Sequence, residues 1–483
     1  MIRDKIDFYA EVYMRYNKKE LKLKLDFNNM MSKSVADGFT ERDFARNAAA
    51  IAQAHADVTA GRGNGMMGWT QLPYNQDEVV ADILATANAV RKNFEYFVVL
   101  GIGGSALGPI AAFQAICHLH YNDLPKRKRK GPKFYVEDNV DPERMVALLD
   151  VIDPAKTMFN VITKSGSTSE TMTQYLIIHD LLTKTLGDKA KDHIIATTSR
   201  STGNLIKIAG KEGYKTFYIP DGVGGRFSEL CPVGLLPAAV CGIDIKGMLL
   251  GARAMDEQCA TSSIKKNPAL MAATLQWMAM RKGKNVSVMM PYADGLKYIA
   301  DWYCQLWGES LGKNKTLDGK DCNVGQTPVK ALGVTDQHSQ VQLYAEGPFD
   351  KVITFIAVDN YRETVEIPQG CEEFPNVNFL CGHTMNELIQ AERTATEYAI
   401  TKAGKLNHTI TLPVLNEFTL GELLMFFMLK TAYTGALMGI DTFNQPGVEE
   451  GKNATYALLG RPGYDEKRAE LANAPQKALK YTI

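Results

Sequence analysis

The chain reads as an α/β protein with parallel sheets, and three observations predict this. Apolar and β-branched runs alternate with helix-length patterns from about residue 61 to 240. The same alternation starts again near 267. Two of the strand-to-helix junctions are crowded with glycine or with hydroxyls, as they are where a sheet presents its carboxyl edge to a ligand. Alternation of this kind calls for right-handed crossovers and a parallel sheet covered on both faces.

Taken in order, residues 1–60 are predicted to be a helical, amphipathic segment that ends at Gly61-Arg62-Gly63-Asn64-Gly65. A first α/β domain is assigned to 61–245, with strands at 96–100, 133–137, 157–162, 193–197 and 215–219. Helices fill the gaps at 77–93, 107–120, 142–150, 168–186 and 201–212. The second α/β domain, 246–415, has strands at 285–290, 351–358 and 408–413 and helices at 268–282, 294–308 and 384–403. Asn267-Pro268 suits the entry to its first helix, because proline is tolerated in a first turn. Residues 312–330 read as a surface loop, 419–440 as a long helix, and 416–483 as a whole as C-terminal helices and tail.

With 483 residues the chain exceeds one ordinary core, and two domains with appendages are expected. Lys+Arg and Asp+Glu each total 54, so no overall basic field draws the chain to nucleic acid or to an anionic membrane. The run Lys126-Arg127-Lys128-Arg129-Lys130 precedes Gly131-Pro132 and reads as a solvated loop. None of the eight cysteines forms a C-x-x-C pair. The start Met1-Ile2-Arg3-Asp4 lacks the apolar core of a secretory signal. The most apolar stretch, Leu420–Ile440, carries Glu422 and Lys430 and reads as a buried helix. A reduced, soluble, cytoplasmic protein without a metal-ligand cluster is expected.

The loop Gly101-Ile102-Gly103-Gly104-Ser105-Ala106-Leu107-Gly108-Pro109 follows an apolar strand. Its Gly-x-Gly-x-x-Ala spacing is compatible with a dinucleotide turn, and a strand ending in Glu137-Asp138 follows, as that reading wants. A tight packing turn explains it equally, and Ser105 adds a hydroxyl donor for a polar ligand. The loop Thr163-Lys164-Ser165-Gly166-Ser167-Thr168-Ser169-Glu170 is more specific. Ser167-Thr168-Ser169-Glu170 has the spacing of a capping box, yet a cap needs one hydroxyl and this loop has several, with a lysine. Amides at a helix start, hydroxyls and one ammonium suit a compact anion such as phosphate.

Gly224-Gly225-Arg226-Phe227-Ser228 places an arginine after two glycines, where its guanidinium can face a developing oxyanion or pair with a carboxylate. On a wheel of about 100° per residue, Ile299, Trp302, Tyr303 and Leu306 form a stripe with Gln305 and Glu309 along its edge. A carboxylate beside apolar surface at a helix C-terminus, where the dipole disfavours negative charge, suits a general base. His338 lies among polar neighbours in a loop, and Lys452 lies in the first turn after Pro446, where the dipole offers it nothing.

Together these segments resemble the phosphoglucose isomerase family. Gly-Ile-Gly-Gly-Ser-x-Leu-Gly-Pro, Gly-Gly-Arg-Phe-Ser and Phe-Asn-Gln-x-Gly-Val-Glu-x-x-Lys stand in the family's order between Gly101 and Lys452. The resemblance implies two flavodoxin-like sugar-isomerase (SIS) domains, each a three-layer αβα sandwich, in a homodimer. It implies conversion of glucose 6-phosphate and fructose 6-phosphate with no cofactor and no metal, in glycolysis and gluconeogenesis. Phosphate would rest on Thr163, Lys164, Ser165 and Thr168, with Gly104, Ser105 and Gln305 lining the sugar site. Glu309 would move the proton and Arg226 would face the enediolate, while His338 and Lys452 would assist ring opening, the histidine coming from the partner subunit. The chain departs from the family pattern at Thr163, where serine is commoner, and at Asn444 and Pro446, where Asp and Trp are commoner. A sugar-phosphate-binding regulator or another phosphosugar isomerase of the same fold is the alternative. A regulator would need the hydroxyl-rich loop but neither Glu309 nor Lys452.

Overall fold

The computed structural model describes residues 14–16 and 18–483. The helical start expected for residues 1–60 thus falls partly, at 1–13 and 17, outside the described residues. From Lys18 to Thr40 the chain forms short 3-10 turns and a strand, β1 (Lys24–Asp26), and α-helices follow at Glu41–Arg46 and Ala48–Gly61. Strand β1 forms because Leu25 docks on a cluster with Met30, Met271 and Leu275, and its backbone adds antiparallel to a sheet edge. Tertiary pairing outweighs local helical preference there.

The chain divides into two units, Met1–Thr442 and Phe443–Ile483. In the first unit, strands β2 (Tyr96–Leu100), β3 (Lys133–Glu137), β4 (Thr157–Ile162), β5 (Ile194–Ser199) and β6 (Lys215–Ile219) make a wholly parallel sheet of order β3-β2-β4-β5-β6. All six residues of β4 and all six of β5 are buried. Strands covered on both faces need near-continuous apolar runs, and the one large polar side chain here, Asn160 of β4, accepts from Thr197 Oγ1 of β5 at 2.9 Å. A second sheet contains β7 (Val286–Pro291), β10 (Thr327–Lys330), β11 (Lys351–Asn360) and β12 (Asn407–Val414), with a hairpin of β8 (Lys313–Lys315) and β9 (Asp321–Val324) beside it in sequence. Its order is β1-β12-β11-β7-β10, parallel except for β1.

Residues 312–330 are therefore not a loop. Pro328 is accepted because β10 is the outermost strand, where a missing N–H leaves no ladder bond unmade. Helix starts follow local chemistry. The Asp141 carboxylate accepts from Glu143 N at 2.9 Å ahead of Pro142, and the Asn267 side chain accepts from Leu270 N at 2.9 Å ahead of Pro268.

The long helix Glu417–Met438 is buried without interruption from Phe418 to Gly435, as a helix apolar on all sides must be. It crosses the helix Ile245–Gln258 at glycines. A Cβ on Gly251 would lie 1.8 Å from Phe418 O, and one on Gly421 would lie 1.9 Å from Met248 O. Among the described residues no helix is long and apolar enough to cross a membrane. The second unit holds the helices Glu449–Leu458 and Asp465–Ala472, joined by a Tyr456–Tyr464 ring contact and by Arg468 Nε donating to Ala457 O at 3.1 Å.

Candidate active site

In the first sheet the strand order reverses between β2 and β4, whose crossovers run to opposite sides. The crevice outside the carboxyl ends of such neighbours is where doubly wound sheets take ligands. Both loops singled out above emerge there.

After β2 the chain makes a 3-10 turn, Gly103–Ser105, and then the helix Leu107–Ile116. Gly104 lies flat against the arginine loop: a Cβ on it would sit 2.1 Å from the carbonyl carbon of Gly225. Gly103 has φ +58°, and a Cβ there would approach Gln305 Nε2 to 2.9 Å. Ser228 Oγ donates to Gly225 O at 2.7 Å and to Gly104 O at 3.4 Å, tying the two loops together. Glu137 and Asp138, the acids that a dinucleotide reading would direct at a ribose, pair with Arg144 at 3.1 and 2.5 Å.

After β4, Gly166 at φ +60° turns the loop against the helix Asn204–Glu212, within 2.0 Å of Leu205 N for an added Cβ. The helix beyond it starts at Ser169, with Thr168 as N-cap and no side-chain cap bond. The expected capping box at Ser167–Glu170 is not formed, because the loop spends its hydroxyls on itself. Thr163 Oγ1 and Thr168 Oγ1 share a bond of 3.1 Å, Gly166 N donates to Thr163 Oγ1 at 3.2 Å, and Ser167 N donates to Ser165 Oγ at 3.2 Å. First-turn amides left without a side-chain cap can receive an anion. Lys164 reaches the loop after β6, its ammonium donating to Val223 O at 3.0 Å.

Arg226 is only 4% exposed and anchors the site. Nε donates to Ser310 Oγ at 2.7 Å, Nη1 to Glu309 Oε2 at 3.2 Å and Nη2 to Thr442 O at 2.8 Å. Burial pulls the guanidinium below its usual value, with Glu309 and Asp441 opposing, and the group stays charged. Glu309 Oε1 accepts from Gln305 Nε2 at 3.1 Å, one helical turn back on Lys297–Leu311. The carboxylate is thus paired on both oxygens rather than set against bare apolar surface. Its side chain is nevertheless 34% exposed, so a ligand can reach the charge that the buried arginine holds in place.

The structure therefore brings Arg226, Gln305 and Glu309 into direct contact and sets Gly104 and Lys164 against neighbouring loops of the same sheet edge. His338 ends the exposed turn Thr335–His338 and, among the described residues, makes no hydrogen bond to Gln305 or Glu309. Lys452, in the second unit, forms an exposed pair with Glu449 at 2.8 Å. Two residues escaped the sequence reading. Ser310 holds Arg226, and Lys313 is buried with its ammonium on Glu309 O at 2.6 Å and Ser310 O at 3.0 Å. A lysine just past a helix C-terminus is the signal that could have found the second. Among the described residues no group of three His, Cys, Asp or Glu side chains is placed to hold a metal ion, and all eight cysteines are free.

A doubly wound α/β protein with a hydroxyl-rich, lysine-bearing loop on the same sheet edge as a carboxylate–guanidinium pair belongs to the class that does acid–base work on small substrates. The chain is a member of the phosphoglucose isomerase family, whose model matches residues 83–476. A glucose-6-phosphate isomerase from Carboxydothermus hydrogenoformans is 53% identical over 458 residues, covering 93% of this chain and 97% of the relative. The crystal structure of a hypothetical protein from Thermus thermophilus matches with a TM-score of 0.82 at 36% identity, covering 91% of this chain and 100% of that one. A glucose-6-phosphate isomerase from Chlamydia trachomatis shares the fold, with a TM-score of 0.71 at 21% identity over 97% of this chain and 87% of its own.

Proposed function

We propose that this chain interconverts glucose 6-phosphate and fructose 6-phosphate through a cis-enediol(ate), with Glu309 carrying the proton. Family membership supports the reaction. The observation that carries the mechanism is the half-open Glu309 carboxylate held 3.2 Å from a buried guanidinium.

Starting from the open-chain aldose, the Glu309 carboxylate takes the proton from C2. The C–H electron pair forms the C1–C2 double bond and negative charge moves to O1. Arg226 stands where that charge grows, which lowers the barrier because the cation is already in place. A proton passes between the two enediol oxygens, Glu309 returns its own to C1, and the carbonyl reappears at C2. The Thr163, Lys164, Ser165 and Thr168 loop holds the phosphate at the far end of the sugar, so one carboxylate serves both carbons. Gly104 and Ser105 let the sugar lie on backbone, and Gln305 orients Glu309. His338 and Lys452 open the ring.

Residues 61–245 and 246–415 serve as the two SIS domains. The working form is a cytoplasmic homodimer in which His338 reaches the partner's site.

The test supplies fructose 6-phosphate to the pure chain and follows glucose 6-phosphate. Glu309→Gln is expected to lower kcat by roughly 10²–10⁴ with binding retained. Undiminished turnover in that variant overturns the mechanism, and binding without turnover in the unaltered chain favours the regulator. Mixing Glu309→Gln with His338→Ala chains should restore part of the activity, and no recovery under verified mixing argues against a shared site.

A further inference from the structure

The base and its arginine meet on the last turn of the helix Lys297–Leu311, where a helix is least well held. The final carbonyls of any helix lack intrahelical partners and its last turn frays. Here the chain turns at Gly312, whose N–H closes on Gly308 O at 3.0 Å, and the next residue sends its side chain back beneath the helix end. Lys313 is only 8% exposed, and its ammonium donates to Glu309 O at 2.6 Å and Ser310 O at 3.0 Å. Ser310, itself fully buried, accepts from Arg226 Nε at 2.7 Å. One ammonium therefore clamps both the peptide that carries the base and the residue that steadies the arginine. From the other side, Cys322 of β9 donates its thiol to Lys313 O at 3.5 Å and holds the lysine's own backbone.

We propose that Lys313 and Ser310 are positioning residues for the isomerisation: the Lys313 ammonium locks the last helical turn, and the Ser310 hydroxyl sets the Arg226 guanidinium, so that base and cation keep one geometry. The proposal rests on the reading of Glu309 and Arg226 given above.

The arrangement makes the lock sensitive to proton loss. Lys313 is faced by Arg226 from the glycine-rich turn, Glu309 from its own helix end, and Asp441 from the segment after the long helix. Burial and then Arg226 push its ammonium down to about 8, with Asp441 and Glu309 opposing. A neutral amine makes weaker bonds to the two carbonyls than an ammonium does. Turnover should therefore fall on the alkaline side near pH 8, where this group loses its proton. An arginine at 313 stays charged throughout that range.

The experiment follows kcat, KM and their pH profiles for fructose 6-phosphate in Lys313→Met, Lys313→Arg and Ser310→Ala. Lys313→Met is expected to lower kcat about tenfold or more at pH 7, with KM within about twofold, since a small misplacement of reacting groups acts on the chemical step. Ser310→Ala should show the same split more weakly. Lys313→Arg should keep measurable activity and shift the alkaline limb upward by about one pH unit or more. Unaltered kcat in Lys313→Met, or the same limb in Lys313→Arg as in the unaltered chain, overturns the proposal. Should Lys313→Met fail to fold, the Lys313→Arg profile decides alone. Glu309→Gln measured in parallel separates the two readings. If it is inactive while Lys313→Met is unimpaired, only the lock falls; if it is fully active, the assignment of the base falls first.

Discussion

The helix Lys297–Leu311 carries a half-exposed carboxylate, Glu309, and the helix Glu417–Met438 carries two fully buried ionisable groups, Glu422 and Lys430; the two helices treat them in opposite ways. On the first, Glu309 has Arg226 and Gln305 on its carboxylate and Lys313 under its carbonyl. On the second, Lys430 Nζ and Glu422 Oε1 have no hydrogen-bond partner among the described residues. The Lys430 ammonium lies over three rings, with Trp307, Tyr303 and Phe427 centred 4.7, 5.6 and 5.8 Å away. Burial drags it down to about 7, and burial lifts Glu422 to about 7, against one bond from Leu23 N. Buried His408, bonded to Thr354, is pushed well below its usual value by burial and then by Lys430. The contrast teaches that burial alone strips charge from a side chain. A reaction that needs charge must build a partner for it.

The sharpest way to break the contrast is to make Glu309 resemble Glu422. Arg226→Met removes the guanidinium but keeps an apolar stem, and kcat should fall by roughly 10²–10³ with fructose 6-phosphate as substrate. A loss below about threefold would mean that the pair does not act on the enediolate. The opposite operation removes charge from the long helix. Lys430→Met should leave kcat unchanged and raise the Tm by roughly 1–4 °C at pH 7.

The pH dependence carries its own sign. Between about 7 and 10.5 the unfolded chain holds the Lys430 proton and the folded chain does not, so stability rises with pH across that window. The advantage of Lys430→Met in thermal melts is therefore full below pH 7 and shrinks toward pH 10. Glu422 runs the other way. Its folded form keeps a proton from 4.5 up to about 7, so the stability it contributes is present below 4.5 and lost as pH climbs through 7. Glu422→Gln, which stays neutral, should flatten that slope and become the more stable form above pH 7.

Much of this was open to reading from the residues alone. Strands such as Tyr96–Leu100 and Thr157–Ile162 announce themselves as short apolar runs between turn signals, and the 3.6 period brings Gln305 beside Glu309. The helices at Pro232–Val240 and Ile245–Gln258 did not stand out. In the first, all nine residues are buried, so no polar face marks the period. Strand β1 exists because β12 offers it an edge, and β10 because its proline sits outermost; both depend on partners distant in sequence. The contact of Arg226 with Glu309 spans 83 residues, and no local pattern encodes it. The capping box expected at Ser167–Glu170 shows the reverse error: the helix cap falls at Thr168, and the hydroxyls of Ser167 and Thr168 bond Ser165 and Thr163 instead.

The flat meeting of Gly104 with Gly225 bears on how this crevice can be reshaped. With 2.1 Å between an added Cβ and the facing carbonyl carbon, even alanine at 104 would drive the β2 loop off the loop that carries Arg226. The seam is a floor without adjustable height. A crevice built on such a seam can be reshaped only from its other walls, while the two glycines keep the arginine at its fixed depth.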